Sequence, residues 1–190
     1  MRVDNKKHSD KLIKSLGLNY VPYKVFEGNT FTEENIKEFT QGRKTLWNVR
    51  DYDSYSGNFR IGLTEEQICC LDINKNAKIK ISESMKKYDL NNMVIQGDIF
   101  VDNKLNVIGT VSKVKGETLR EVTNNPSMFE TIRCNIVNEK INVGIRSEIH
   151  KIIDYICEHN LFNVIVEFSM YDCSVGITGD NIIVWELRTR

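Results

Sequence analysis

Proline is nearly missing from this chain of 190 residues: only Pro22 and Pro126 occur, and no proline- or serine-rich tract divides it. Without a linker the expectation is a single compact domain, with at most two lobes at about 1–90 and 91–190. A surplus of one charge is missing too. Lys and Arg number 26 and Asp and Glu number 26, so the net charge is zero. Binding driven by counterion release needs a basic surface, so nucleic acid is not an expected partner. No apolar run approaches a membrane span, and residues 1–8 (Met-Arg-Val-Asp-Asn-Lys-Lys-His) hold no apolar signal-peptide segment. A soluble, cytoplasmic protein without a membrane partner is expected. The five cysteines are odd in number and form no Cys-x-x-Cys pair, so they read as reduced thiols. His8, His150 and His159 lack zinc-ligand spacing. Glycine never falls into a Gly-x-Gly-x-x-Gly or Walker pattern.

What is present reads as alternating helices and strands. Leu12, Ile13 and Leu16 make one stripe of a helix over Lys6 to Leu16, which Gly17 is placed to stop. Tyr20 to Phe26 is a strand candidate. Thr32 caps a short helix with Glu33 and Glu34 in its first turn and Ile36 and Phe39 on one face. Thr45 to Asp51 alternates as a strand, and Ile79 and Ile81 mark another. Thr64-Glu65-Glu66-Gln67 has the form of a capping box opening a helix through Ile68 and Leu71. Met93 to Val101 and Leu105 to Val114 form a hairpin about a turn at Asp102-Asn103-Lys104. Ser147 to His159 carries Ile149, Ile152, Ile153 and Ile156 at helical spacing, and a final hairpin closes the chain. Paired strands with separate helices predict an α+β fold of largely antiparallel sheets.

The closing hairpin holds the most chemistry. Asn163 to Met170 and Asn181 to Arg188 are hydrophobic strands with one acid each, Glu167 and Glu186. A carboxylate is costly to bury alone, so a counter-charge or a metal is expected beside it. Arg188, two residues past Glu186, points to the same strand face. Acid, acid and arginine on one face suit a metal-bound polyphosphate. A loop at about Ser174 to Gly179 opposes Glu167 to Glu186 within reach of a shared cation, whereas a tight turn at Gly179-Asp180 opposes Glu186 to Cys173. The first register is expected. The plainer reading is a pair of surface glutamates in salt bridges.

Four segments resemble the ATP-grasp nucleotide-binding domain of the phosphoenolpyruvate synthase and pyruvate phosphate dikinase family. Lys11-Leu-Ile-Lys-Ser-Leu-Gly-Leu-Asn-Tyr-Val-Pro22 resembles its opening helix and Leu-Gly-Leu-Pro-Val-Pro exit. Leu46-Trp-Asn-Val-Arg50 resembles the strand ending in Val-Arg-Ser-Ser, with Asp51 and Tyr52 in place of the serines. Met93-Val-Ile-Gln-Gly-Asp-Ile-Phe100 and Val107-Ile-Gly-Thr-Val111 sit where that family has the strand leading to the adenine hinge and its partner. Val166-Glu-Phe and Val184-Trp-Glu-Leu-Arg188 are similar to its closing pair. The long glycine-rich phosphate loop has no counterpart. Nor do the phosphohistidine and pyruvate-binding domains, so the full dikinase reaction is not expected of this polypeptide alone.

The resemblance implies ATP and Mg²⁺ as cofactors, Glu167 and Glu186 as metal ligands, and Arg188 and Arg50 as phosphate clamps. Arg50 has a second reading as the ion-pair partner of Asp51 or Asp53. Lys24 either reaches phosphate or is a solvated surface lysine. Gln96 and Asp98 share a strand face with Val94 and Phe100, which suits the nucleoside end of a ligand or an ordinary half-exposed strand. Lys113 and Lys115, with Arg120, either cover phosphates or form a solvated charge run. The expected activity is phosphoryl transfer, or ligation, from ATP to a small molecule or a separate protein. The competing expectation is a noncatalytic nucleotide-binding or regulatory interaction module.

Overall fold

Helix α1 (Lys6–Ser15) ends as its glycine predicts. Gly17 adopts φ 65°, and two bonds close the terminus: Leu18 N donates to Ile13 O (3.1 Å) and Gly17 N to Lys14 O (3.1 Å). This computed structural model describes residues 6–41, 43, 45–53, 59–84, 92–113, 129–135 and 146–189. The chain falls into two units, Val21–Asp89 and a larger one that joins Met1–Tyr20 to Leu90–Arg190. The first helix thus belongs with the second half of the sequence.

The smaller unit is a four-stranded sheet in the order β1-β4-β2-β3, formed by β1 (Tyr23–Glu27), β2 (Trp47–Asp51), β3 (Phe59–Leu63) and β4 (Lys78–Glu83). Helices α2 (Glu33–Thr40) and α3 (Glu65–Cys69) accompany it. Both start as their sequences dictate. The Thr32 side chain accepts from Asn35 N, and Thr64 and Gln67 exchange the two bonds of a capping box. The core is Phe26, Ile36, Trp47, Val49, Ile68, Ile79 and Ile81. Phe26 meets the rings of Phe31 and Phe39 edge-on at 5.9 and 6.2 Å.

In the larger unit five strands run β7-β6-β5-β8-β9. They are β5 (Met93–Val101), β6 (Asn106–Ser112), β7 (Glu130–Asn135), β8 (Val164–Tyr171) and β9 (Ile182–Thr189), with helix α4 (Arg146–Glu158) before β8. Each described pairing in both sheets is antiparallel. One sheet face is core: Ile95, Ile99, Val107, Val111, Val166, Phe168 and Leu187 pack with Ile13 of α1 and Ile149, Ile152 and Ile156 of α4. The period of two along each strand leaves Gln96, Asp98, Glu167 and their neighbours on the other face.

Buried Asn19 fastens the loop between β8 and β9. Its Nδ2 donates to Val175 O (2.8 Å) and Ile182 O (2.9 Å), its Oδ1 accepts from Thr178 N (3.0 Å), and its carbonyl accepts from Val184 N (2.9 Å). Gly176 lies against this amide at φ 71°, where a Cβ would stand 2.4 Å from Asn19 Oδ1. Asn19 N also donates to the Tyr155 hydroxyl (3.4 Å), whose own ionisation burial pushes up to about 12.

Candidate functional site

The β8–β9 register opposes Glu167 to Glu186, the pairing expected of the longer loop. A β-bulge makes this possible. Phe168 pairs with Val184 and Glu167 with Glu186, so Trp185 is the extra residue. Ile182 and Val184 point into the core, and strict alternation would send Glu186 after them. The bulge resets the parity: Leu187 is core, while Glu186 and Arg188 turn to the polar face. Trp185 Nε1 donates to Ser169 Oγ (2.9 Å) beside the bulge.

Asp98 is cross-strand from Glu167 on the other side. Three carboxylates thus stand in a row on β5, β8 and β9. Arg188 answers two of them, with its Nη2 2.7 Å from Asp98 Oδ1 and 3.9 Å from Glu167 Oε2. Lys6 answers the third from the first turn of α1: its Nζ lies 2.5 Å from Glu186 Oε2 and donates to Trp185 O at 2.9 Å. The Lys6 and Glu186 side chains are only 13% and 15% exposed, so this pair is largely withdrawn from water. At the residue after Glu186, Leu187 N donates to Ser9 Oγ (2.8 Å), which docks α1 on β9.

The row has a distinct electrostatic signature. Burial pushes the Glu167 carboxyl above its usual range; Lys6 and Arg188 oppose this, while Asp98 and Glu186 add to it. Burial likewise raises Asp98, against the pull of Arg188. For Arg188 burial disfavours the cation, yet Asp98, Glu167 and Glu186 outweigh it and hold the guanidinium above its ordinary value. Its Nε is buried with no hydrogen-bond partner.

The other residues singled out in the sequence lie elsewhere. Gln96 is buried on the strand that carries Asp98, opposite Ser112 and Ser169. Lys113 is exposed and 3.3 Å from Glu148 of α4, and Lys115 and Arg120 lie outside the described residues. Lys24, in the smaller unit, faces Glu38 at 3.7 Å and the Phe26 ring at 5.1 Å. Arg50 is also in that unit, over the Phe59 ring at 5.5 Å, and its Nε is buried without a hydrogen-bond partner. Lys6 and Ser9 escaped the sequence reading. Their spacing of three puts them on one helix face, but nothing local says that this face meets β9.

No protein-family model matches the chain, and no curated protein does. Among solved structures it is similar to D-alanyl-alanine synthetase A from Vibrio cholerae, with 14% identity and a TM-score of 0.51 over 97% of this chain and 55% of that one. It is also similar to D-alanine-D-alanine ligase from Helicobacter pylori, with 10% identity and a TM-score of 0.56 over 97% of this chain and 53% of that one. The chain therefore spans about half the length of these enzymes. At such identities the likeness is one of fold. Together with the two antiparallel sheets and their few helices, it gives the chain an α+β, ATP-grasp-like fold.

Proposed function

We propose that the chain binds ATP with Mg²⁺ on the polar face of the five-stranded sheet and passes the terminal phosphoryl group to a small molecule or a separate protein. The observation that carries this reading is the row Asp98, Glu167 and Glu186 on adjacent strands, with Arg188 and Lys6 beside it. The ATP-grasp-like fold supports it, as does the resemblance of the chain's sequence motifs to those of the phosphoenolpyruvate synthase and pyruvate phosphate dikinase family.

Among the described residues no three His, Cys, Asp or Glu side chains converge as a ready metal cage. Mg²⁺ does not require one. It commonly takes one or two carboxylates and completes its shell with phosphate oxygens and water. Glu167 and Glu186, opposed across the hairpin, fit that donor set and would hold the ion. Bound there, the ion would neutralise charge on the phosphates, the main demand of phosphoryl transfer.

The chain's own residues do the rest. Arg188 presents a planar fork to the terminal phosphate, with Asp98 fixing its orientation. Lys6 adds a point charge from α1, and Gln96 lies toward the nucleoside end. In the transfer the acceptor attacks the terminal phosphorus, the bond to the bridging oxygen breaks, and ADP leaves with that oxygen. The reading rests on the larger unit alone, since Arg50 and Lys24 belong to the other.

Calorimetric titration with ATP, with and without Mg²⁺, tests it. Saturable binding that requires the metal, and that Glu186→Gln weakens by about tenfold or more, is the expected result. Equal affinity in wild type and variant removes the two glutamates as metal ligands. Tight binding with no ADP formed in the presence of any acceptor identifies a noncatalytic nucleotide-binding module.

A further inference from the structure

The smaller unit contains a cavity of about 470 Å³ between the end of β2 and the segment that leads into β4. This volume falls within the roughly 300–1,000 Å³ of small-molecule sites. Six charged side chains line it: Lys78 and Asp51, and the four Arg50, Arg60, Asp53 and Asp72. Among the described residues none of the four makes an ion pair, and Arg50 is engaged only by the Phe59 ring. Arg50 Nε is buried with no hydrogen-bond partner. Lys78 and Asp51 also line the cavity but are already occupied: Lys78 pairs with Glu27 at 3.2 Å, and Asp51 has an interaction of its own. Val49, Leu71 and Ile79 supply an apolar floor.

Two guanidiniums and two carboxylates thus share a cavity without satisfying one another. A polyanion entering it would meet both aspartates, and a polycation both arginines, so a ligand of one sign is disfavoured by like-charge contacts. A molecule that carries both signs on an apolar body satisfies the whole set. We propose that this cavity binds a small zwitterion with an apolar side chain, an unblocked amino acid or short peptide, its carboxylate on Arg50 and Arg60 and its ammonium on Asp53 and Asp72. The sequence motif alone pointed Arg50 toward phosphate; the charge balance around it points to a zwitterion.

The wall of the cavity is already built. Gly28 N donates to Ala77 O (2.7 Å), Ala77 N to Asn74 O (2.9 Å), Asn76 N to Asn74 Oδ1 (2.9 Å) and Tyr52 N to Lys78 O (2.7 Å). Gly28 packs so close that a Cβ there would stand 2.2 Å from Asn74 O. A wall fixed in advance lowers the ordering cost of binding.

The test titrates the full chain, by calorimetry without nucleotide, with racemic leucine, leucyl-leucine, N-acetyl-leucine and leucinamide at millimolar concentration. Leucine or leucyl-leucine binds saturably, the tighter of the two showing whether the site takes an amino acid or a peptide. Each blocked form binds at least about tenfold more weakly, having lost one charge-assisted contact. Arg50→Met removes the discrimination against leucinamide, and Asp53→Asn with Asp72→Asn removes that against N-acetyl-leucine. The two aspartates are exposed, so the second variant keeps its fold even where the first does not. N-acetyl-leucine or leucinamide binding the wild type as well as leucine does, or neither unblocked compound binding, overturns the proposal. Because no nucleotide or metal is present, this outcome is independent of the ATP reading.

Discussion

Glu167 carries an electrostatic cost that pH exposes. Its folded-state pKa is raised by burial, so between the ordinary glutamate value of about 4.3 and that raised value the native state holds a proton the unfolded state has released. Stability from this group therefore falls as pH rises through that window and stays low above it, and Asp98 behaves alike. Glu167→Gln is expected to raise the melting temperature at neutral pH, by an amount equivalent to about 1 kcal/mol, with the gain vanishing toward pH 4. Melting curves of both proteins across pH 4 to 8 measure this; a constant gain at every pH would mean that the carboxyl's ionisation is not the cause. Lys6→Met should act in the opposite direction. It strips the nearest cation from a nearly buried Glu186, at a cost of about 1–3 kcal/mol read by urea unfolding. Glu167, Glu186 and Arg188 were legible together because an acid stands out in a β-branched run and a spacing of two fixes the face, whereas Asp98, read with Gln96 at a nucleoside end, joins them only through the pairing of β5 with β8. Lys6 was not: a contact across 180 positions leaves no local trace.

Among the elements, the β8–β9 loop carries two left-handed glycines in different surroundings. Gly176 has φ 71° with Asn19 Oδ1 in the way of a side chain, and Gly179 has φ 78° with nothing within 4 Å. Gly179→Ala is thus expected to cost only backbone strain, about 1 kcal/mol, and Gly176→Ala about 1–2 kcal/mol more because the clamp must shift. Equal losses in urea titrations would show that Asn19 does not hold the loop. Most helices and the central hairpin could be read from capping residues, Gly17 and hydrophobic period. Strands β3 and β7 could not. β3 holds Gly62 at φ 71°, and β7 buries only Ile132, so neither shows the alternation that marks a half-buried strand. The bulge at Trp185 was equally hidden, because Ile182 to Trp185 reads as one apolar run and the parity change at its end is set by pairing with β8.

At the scale of the molecule, the missing linker led to an expectation of one domain or two consecutive lobes. The chain instead leaves the larger unit after Tyr20, builds Val21–Asp89, and returns at Leu90. α1 is therefore integral to the larger unit. A protein beginning at Leu18 is expected to lose Ile13 from the core and the Ser9 and Lys6 contacts to β9. Circular dichroism and a broadened melting transition would report the loss; a sharp, unshifted transition would show that α1 is dispensable.

The docking of α1 on β9 also has a consequence for synthesis. Once residues 21–89 have emerged from the ribosome, all four strands of the smaller sheet are present, so its pairings, including the distant one between β1 and β4, can form while translation continues. Helix α1 is made well before its partners Leu187 and Glu186. Throughout elongation its apolar stripe of Ile13 and Leu12 stays uncovered by β9. Helix α1 thus waits through some 180 positions of synthesis for its native neighbour, and it is where a chaperone that recognises short amphipathic helices would find its opportunity.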